Sequence, residues 1–307
     1  MKCDRILFPI DFSDHNRALA SQVAWLANRF DSRVTLLHVA DVPSTCGAAT
    51  EAYYDWDTYE AFANRTRHQL CEFPINLPEP RVERAAMEGE PAYQIANWAN
   101  HHKIDLIVLG TQDCGTFRGL LLGSVAAKVI HEVGCPVWVH STFHRPIDTQ
   151  NLAVRNVICA LELTEEAVPI LQFTNDFAEK LGANVLVTHS VLESEARLDG
   201  CFDPHLHEYL MQAARREIST RQHAAGTDFP VCVTREGISK AIVDAARTQK
   251  ADLVIVGRGK CQQMLGRLRT HEYDIIRQTP CPVLSYCCTY TEEEWGASPA
   301  EYQVQTA

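Results

Sequence analysis

Glycine and serine mark the segment from Gly110 to Ser124, which follows an apolar run and ends where a helical pattern begins. Glycine lets a backbone approach an anion closely, and the free N–H groups at a helix N-terminus favour negative charge. The hydroxyl of Ser124 is a further donor, and Arg118 would add local positive charge. These residue types at this spacing predict a site for a phosphate or a similar anion.

A second group of candidates ends the first apolar run of the chain, at Pro9, Ile10 and Asp11. The carboxylate of Asp11 could accept hydrogen bonds from the hydroxyl pair of a ribose. Each feature also has an ordinary structural explanation, because glycine-rich segments form turns and both Asp11 and the Gly-Ser pair could cap helices. Their combination at strand ends favours a ligand site over these separate explanations.

Short runs rich in Ile, Val and Leu alternate with helical patterns, which is typical of strands buried on both faces of a parallel sheet. A helix with Ser13 or Asp14 as its N-cap follows the first run. Open parallel sheets bind ligands beyond the carboxyl ends of their strands, where the strand order reverses. Five strands are predicted in the first half, over residues 5–9, 33–39, 81–87, 104–109 and 136–140.

The pattern of the first half is repeated in the second. Four segments match in the same order, with an offset of about 150 residues, the size of a typical domain. The matched pairs are Arg5–Ser13 with Asn156–Thr164, Val34–Val39 with Val185–Ser190, Ile104–Gly110 with Ala251–Gly257, and Cys135–Trp138 with Cys281–Leu284. The repeat predicts an α/β protein of two Rossmann-like domains, each a five-stranded parallel sheet flanked by helices.

The composition shift along the chain predicts four parts. Domain 1 covers residues 1–141, a polar linker 142–153, domain 2 154–288, and an acidic tail 289–307. We expect the two domains to pack as a pseudo-dimer through their final strands, 136–140 and 282–286, because edge strands rich in Val and Trp need cover. Further association into a homodimer is left open.

Composition excludes several classes of partner. The net charge of −11 over 307 residues disfavours binding to nucleic acid, and the chain shows no signal peptide or bilayer-spanning run. The 12 cysteines are scattered, so a reducing, cytoplasmic location with free thiols is expected. Cys201, His205 and His207 lack a complete zinc spacing, and no metal site is predicted.

The first half resembles a universal stress protein domain. The motifs are Pro-x-Asp-x-Ser from Pro9, Leu-Leu-His-Val ending at Val39, and a Gly-x2-Gly-x9-Gly-Ser/Thr type of loop from Gly110. The resemblance implies a stress-response protein that binds ATP, ADP or AMP, with or without magnesium. It implies that the loop wraps the phosphates and that Asp11 and Val39 line the ribose and adenine. The implied site residues are Pro9, Ile10, Asp11, Val39, Leu109, Gly110, Gly123, Ser124 and Val125.

Each half departs from the family pattern at its site. The second glycine position holds Asp113, whose charge would lie near the phosphates, and Gly115 follows two residues later as a substitute. In the second half, Glu162 replaces Asp11, and Arg269-Thr270 stands where the first half has Gly-Ser. We therefore predict a degenerate second site, although the cations of its loop could hold an anion through their side chains.

No catalytic residue is predicted, because the chain has no P-loop, kinase motif or Gly-x-Ser-x-Gly elbow. The sequence favours a binding protein with at most slow ATP hydrolysis. A ligand-free scaffold or interaction protein and a weak nucleotide hydrolase are the alternatives.

Overall fold

The structure, a computed structural model, describes residues 2–40, 56–111, 123–191, 204–258 and 267–287. Within these ranges, no helix combines the length and apolar character that a bilayer crossing requires. Below, the first half means the part up to residue 141, and the second half the part from residue 154.

The strands form one sheet of ten. The first half supplies β1 (Arg5–Pro9), β2 (Arg33–Ala40), β3 (Val82–Glu88), β4 (Leu106–Thr111) and β5 (Val137–Ser141). The second half supplies β6 (Asn156–Ala160), β7 (Asn184–Ser190), β8 (Val231–Thr234), β9 (Leu253–Arg258) and β10 (Val283–Cys287). Each first-half strand begins and ends within two residues of its predicted position. Strands β1, β2, β4 and β5 have a core of buried apolar residues, whereas β3 is half-exposed along its length.

Helices cover both faces of this sheet. The first half has α1 (Asp14–Phe30), α2 (Trp56–Cys71), α3 (Pro91–His101) and α4 (Ser124–Glu132), with a short 3-10 turn at Glu79–Arg81. The second half has α5 (Ala167–Leu181), α6 (Pro204–Ala225), α7 (Ile238–Thr248) and α8 (Arg267–Gln278). The alternation of strands and helices confirms the predicted α/β class with a Rossmann-like arrangement in each half.

The order of the sheet is β3-β2-β1-β4-β5-β10-β9-β6-β7-β8. Within each half the strands are parallel, and the order reverses next to β1 and again next to β6. Alternate residues therefore enter opposite cores. Ile6 and Phe8 pack beneath α1 and α2, whereas Leu7 packs beneath α3 and α4.

The two halves meet through their final strands, as the sequence predicted. Strands β5 and β10 are antiparallel neighbours, with Trp138 opposite Leu284, and both side chains are fully buried. The segment after β5 then lies against the second half. The ring of buried His144 donates from Nε2 to the carbonyl of Ile276 at 2.8 Å, and the backbone N–H of Arg145 donates to the carbonyl of Pro280 at 3.0 Å.

Candidate functional site

The reversal of strand order in the first half lies between β1 and β4. These strands pair with Ile6 opposite Leu106 and Leu7 opposite Ile107. Continued to the carboxyl edge, this register places Asp11 one residue beyond the position opposite Gly110. The two segments that the sequence singled out are therefore neighbours at the point where open α/β sheets bind ligands.

Asp11 is exposed, and one of its carboxylate oxygens is held in place. Its Oδ1 accepts from the backbone N–H of Ser13 at 3.0 Å and from Nδ2 of Asn16 at 2.6 Å. The N-cap of α1 is Ser13, whose Oγ accepts from the backbone N–H of Asn16. The carboxylate of Asp11 is thus not the cap of the helix.

The turn that carries Asp11 is strained and braced. Phe12 has a φ of 61°, the left-handed region that bulky residues rarely adopt, and its ring packs 4.4 Å from that of His38. His38 donates from Nδ1 to the carbonyl of Ile10 at 2.9 Å. In the second half His189 makes the same bond to Leu161 at 2.8 Å. The matched histidines therefore hold the turn after the first strand of each half.

Gly110 is required for the packing of α1 against the sheet. A Cβ at this position would overlap Oδ1 of Asn16 and lie 3.0 Å from Cδ2 of His15. Helix α1 thus crosses β4 at a distance that only glycine permits. The sequence predicts a role for Gly110 in anion binding, and the structure adds this steric role.

Gly123 has open surroundings. It is the N-cap of α4, and a Cβ built on it would meet no atom of the described residues within 4 Å. Because glycine has no side chain, it gives the first-turn amides of α4 no cap. Ser124, the first helical residue, is exposed. As far as the described residues go, the N-terminus of α4 therefore offers amide and hydroxyl donors beside open space.

The predicted apolar walls divide between the two sides of the sheet. Leu109 is buried in the core beneath α3 and α4, and half-buried Val39 and Val125 pack against that same core. Pro9 and Ile10 are buried, and Ile10 belongs to the opposite core. The structure thus places Val39, Leu109 and Val125 on the same side of the sheet. Asp113, Gly115 and Arg118 lie outside the described residues.

A cluster of three histidines, which the sequence did not reveal, lies beside Gly110. His140 of β5 is opposite Gly110, and its carbonyl accepts from Nε2 of His15 at 3.0 Å. The rings of His140 and His144 are 5.2 Å apart. Burial, then the neighbouring His144 and His15, lower the pKa of His140 to about 3, and burial lowers the pKa of His144 to about 4. His140 and His144 are therefore neutral at pH 7 and give an anion no positive charge.

A metal site beside this cluster is not found among the described residues. Among the described residues, no group of three or more His, Cys, Asp or Glu side chains is placed to hold a metal ion. His205 and His207, whose spacing with Cys201 is incomplete for zinc, lie on helix α6, and Cys201 lies outside the described residues.

A family model describes both halves of the chain. The model of the universal stress protein family matches residues 2–140 and again 153–286. The chain belongs to the universal stress protein family. The double match agrees with the internal repeat, so this is a tandem universal stress protein of a stress-response family.

Relatives of this universal stress protein include shorter and similarly long proteins. A universal stress protein of Methanocaldococcus jannaschii is 30% identical over 138 residues, which are 44% of this chain and 80% of the relative. One of Thermus aquaticus is 31% identical over 133 residues, 43% of this chain and 94% of the relative. The crystal structure of a universal stress protein from Archaeoglobus fulgidus has the same fold over 94% of this chain and all of its own, with a TM-score of 0.66 and 18% identity.

The second half of this tandem universal stress protein presents a different edge. Arg258, at the end of β9, is 4% exposed and donates to the carbonyls of Ile130 and Cys135 in the first half, the latter at 2.8 Å. One of the four loop cations that could have bound an anion is therefore used between the halves. Helix α8 already begins at Arg267, so Arg269 and Thr270 lie inside its first turn and not at its cap.

Proposed function

We propose that the first half of this universal stress protein binds an adenine nucleotide (ATP, ADP or AMP) and that this binding serves its part in the stress response. One observation carries the proposal. Asp11 is held at the strand-order reversal beside Gly110, at the sheet edge where α4 begins with an uncapped N-terminus. The carboxylate suits the ribose hydroxyls of a nucleotide, and the free amides at the start of α4 suit its phosphates.

Each part of the nucleotide has a suitable partner in this half. The phosphates would accept from the first-turn amides of α4 and from the hydroxyl of Ser124, with Gly123 leaving room for close approach. The ribose hydroxyls would donate to the carboxylate of Asp11. The adenine would lie on the apolar surface of Val39, Leu109 and Val125. Magnesium would accompany ATP through the phosphates, because the described residues include no protein site built for it.

The proposal includes the division of the chain into domain 1 (residues 1–141), a linker (142–153), domain 2 (154–288) and a tail (289–307). Domain 2 is proposed to leave adenine nucleotides unbound. Its counterpart of Asp11 is Glu162, and Arg258 faces domain 1. Nucleotide binding at this one site would change the conformation of the loop from Gly110 to Gly123, and a partner protein would recognise that change.

Calorimetric titration with ATP, ADP and AMP tests the proposed site. Gly123→Trp would fill the open space at the start of α4, so we expect its binding heat to vanish while its fold is retained. Gly237→Trp is the matched control. Gly237 is the N-cap of α7 in the second half, has a similar backbone conformation and equally open surroundings, and should leave the heat unchanged. Equal heats from wild type and Gly123→Trp would disprove the assignment.

A further inference from the structure

Asn16 is a polar residue on the buried face of an amphipathic helix. It is 3% exposed, and it belongs to the stripe of α1 that continues through Leu19, Ala20 and Val23. An apolar side chain would be expected at such a position. A buried amide is unfavourable unless hydrogen bonds replace those it made to water, so the contacts of Asn16 require an explanation.

The amide of Asn16 is satisfied on one side only. Its Nδ2 donates to Oδ1 of Asp11 at 2.6 Å, while its own Oδ1 lies against Gly110 and has no hydrogen-bond partner among the described residues. A carboxylate accepts and cannot donate, so the NH₂ group must face Asp11 and the carbonyl oxygen must face Gly110. Within the described part of the chain, the donor side of the amide thus holds Asp11 while its acceptor side makes no hydrogen bond.

The carboxylate of Asp11 is thereby fixed in orientation. Two donors, the backbone N–H of Ser13 and Nδ2 of Asn16, converge on Oδ1. Among the residues that the structure describes, no donor contacts the other oxygen, Oδ2. An exposed carboxylate normally samples several rotamers, and a ligand that binds it must then stop that motion. Holding Oδ1 leaves Oδ2 ready to accept from a ligand.

The second half lacks both members of this pair. Glu162 stands at the position of Asp11, and Ala167 stands at the position of Asn16. Ala167 is 1% exposed and is the first residue of α5, so the repeated fold accepts alanine at this place in its helix. The half with the altered sheet edge is thus also the half without the amide.

We propose that Asn16 is a positioning residue that holds Asp11 ready for the ribose hydroxyls, and so gives the site its preference for nucleotides with a free hydroxyl pair. This inference rests on the proposed nucleotide site in the first half and adds to it the source of its sugar specificity. Asn16 lies beneath Asp11 and acts on the ligand only through that carboxylate.

Two nucleotides separate this role from a purely structural one. Calorimetry is carried out with ATP and with 2′,3′-dideoxy-ATP, which has the same base and phosphates and no ribose hydroxyls. For Asn16→Ala we expect the dissociation constant of ATP to rise about tenfold, as when a charge-assisted contact loses its orientation. The affinity for the dideoxy nucleotide should stay within about twofold of wild type.

Two further variants make the test specific. Asn16→Asp keeps the size of the side chain but sets a second carboxylate against Asp11. ATP binding should be lost at pH 8 and partly return near pH 5, where a proton shared by the pair restores a donor. Asn175→Ala is the matched control, because Asn175 on α5 donates its amide to Glu179 at 3.1 Å, away from the site. It should leave both affinities unchanged.

The outcomes distinguish the two proposals. If Asn16→Ala weakens both nucleotides equally, or neither, while wild type binds ATP, the positioning role is disproved and the nucleotide site stands. If wild type binds neither nucleotide, the proposed function is disproved, and the positioning role is disproved with it.

Discussion

The two halves differ at the carboxyl end of a matched strand. In the first half β4 ends at Thr111, and in the second half the matching strand β9 ends at Arg258. Thr111 makes no hydrogen bond to the second half in the described residues, and its carbonyl accepts from the backbone N–H of Thr142, directly after β5, at 3.2 Å. Arg258 reaches across to Ile130, in the last turn of α4. The last carbonyls of a helix lack intrahelical partners, and a cation there is favourable. The second half therefore supports the end of the helix whose beginning faces the proposed nucleotide.

The two halves thus divide two tasks that their common fold makes possible. In the first half the turn after β1 carries Asp11 with its amide partner, and the start of α4 is left open. In the second half Glu162 and Ala167 replace Asp11 and Asn16, and β9 ends with Arg258, which donates to the first half. The strand end that faces the proposed site in the first half thus takes part in packing between the halves in the second.

The largest expected effect on stability comes from the contact that Arg258 makes with the first half. Arg258→Met removes a buried guanidinium and leaves the carbonyls of Ile130 and Cys135 without their donor. The free energy of unfolding should fall by about 3 kcal/mol, because buried acceptors that lose their partners carry the full desolvation cost. Urea unfolding followed by circular dichroism measures the change.

The control for this change is Arg235→Met, since Arg235 is exposed in the turn before α7. Its unfolding midpoint should match that of wild type. Arg258→Lys should recover only part of the loss, because an ammonium group cannot reach two carbonyls as the guanidinium fork does. If Arg258→Met is as stable as wild type, Arg258 does not stabilise the contact between the halves.

The next effect separates two glycines that the sequence assigned to the same loop. Gly110→Ala places a methyl group against Asn16 and His15, and such overpacking should cost about 2 kcal/mol of unfolding free energy. Gly123→Ser should cost nothing, because that position is open and serine is a good N-cap. Urea midpoints of the two variants give the comparison, and a Gly110→Ala protein as stable as Gly123→Ser would contradict it.

The sequence predicted β1, β2, β4 and β5 well because each is a local apolar run, and the repeat supplied a second copy of each of these four strands. Strand β4 begins at Leu106 and not at 104, since Asp105 leaves the sheet to accept from the backbone N–H groups of Asp4 and Arg5 at 2.8 and 2.9 Å. That adjustment depends on a partner about 100 positions away in the chain, which a local pattern does not contain.

The site was predicted in outline, and its supporting contacts were missed for different reasons. Asn16 gave a signal, because it is a polar residue within the apolar stripe of α1. Arg258 was interpreted as a loop cation, since its partners at Ile130 and Cys135 lie in the other half. The histidine cluster gave no signal, because its members are distant in sequence or on different elements. His15 of α1 meets His140 of β5 and His144, which follows β5, only in the folded protein.

The smallest effect concerns that cluster and the position where the halves carry His140 and Tyr286. The pKa of His140 is lowered to about 3, first by burial and then by His144 and His15, so the unfolded chain takes up this proton before the folded chain does. The free energy of unfolding therefore falls as the pH drops through about 6.5 towards the folded pKa. His140→Phe, which lacks the titrating ring, should avoid a loss of about 1 kcal/mol at pH 5.5.

Thermal unfolding at pH 7.5 and 5.5 tests this, with His101→Gln, an exposed histidine at the end of α3, as the control. If His140→Phe loses as much stability on acidification as wild type, the acid sensitivity does not arise at this position, and the first half is no more sensitive to pH there than the second half with its tyrosine.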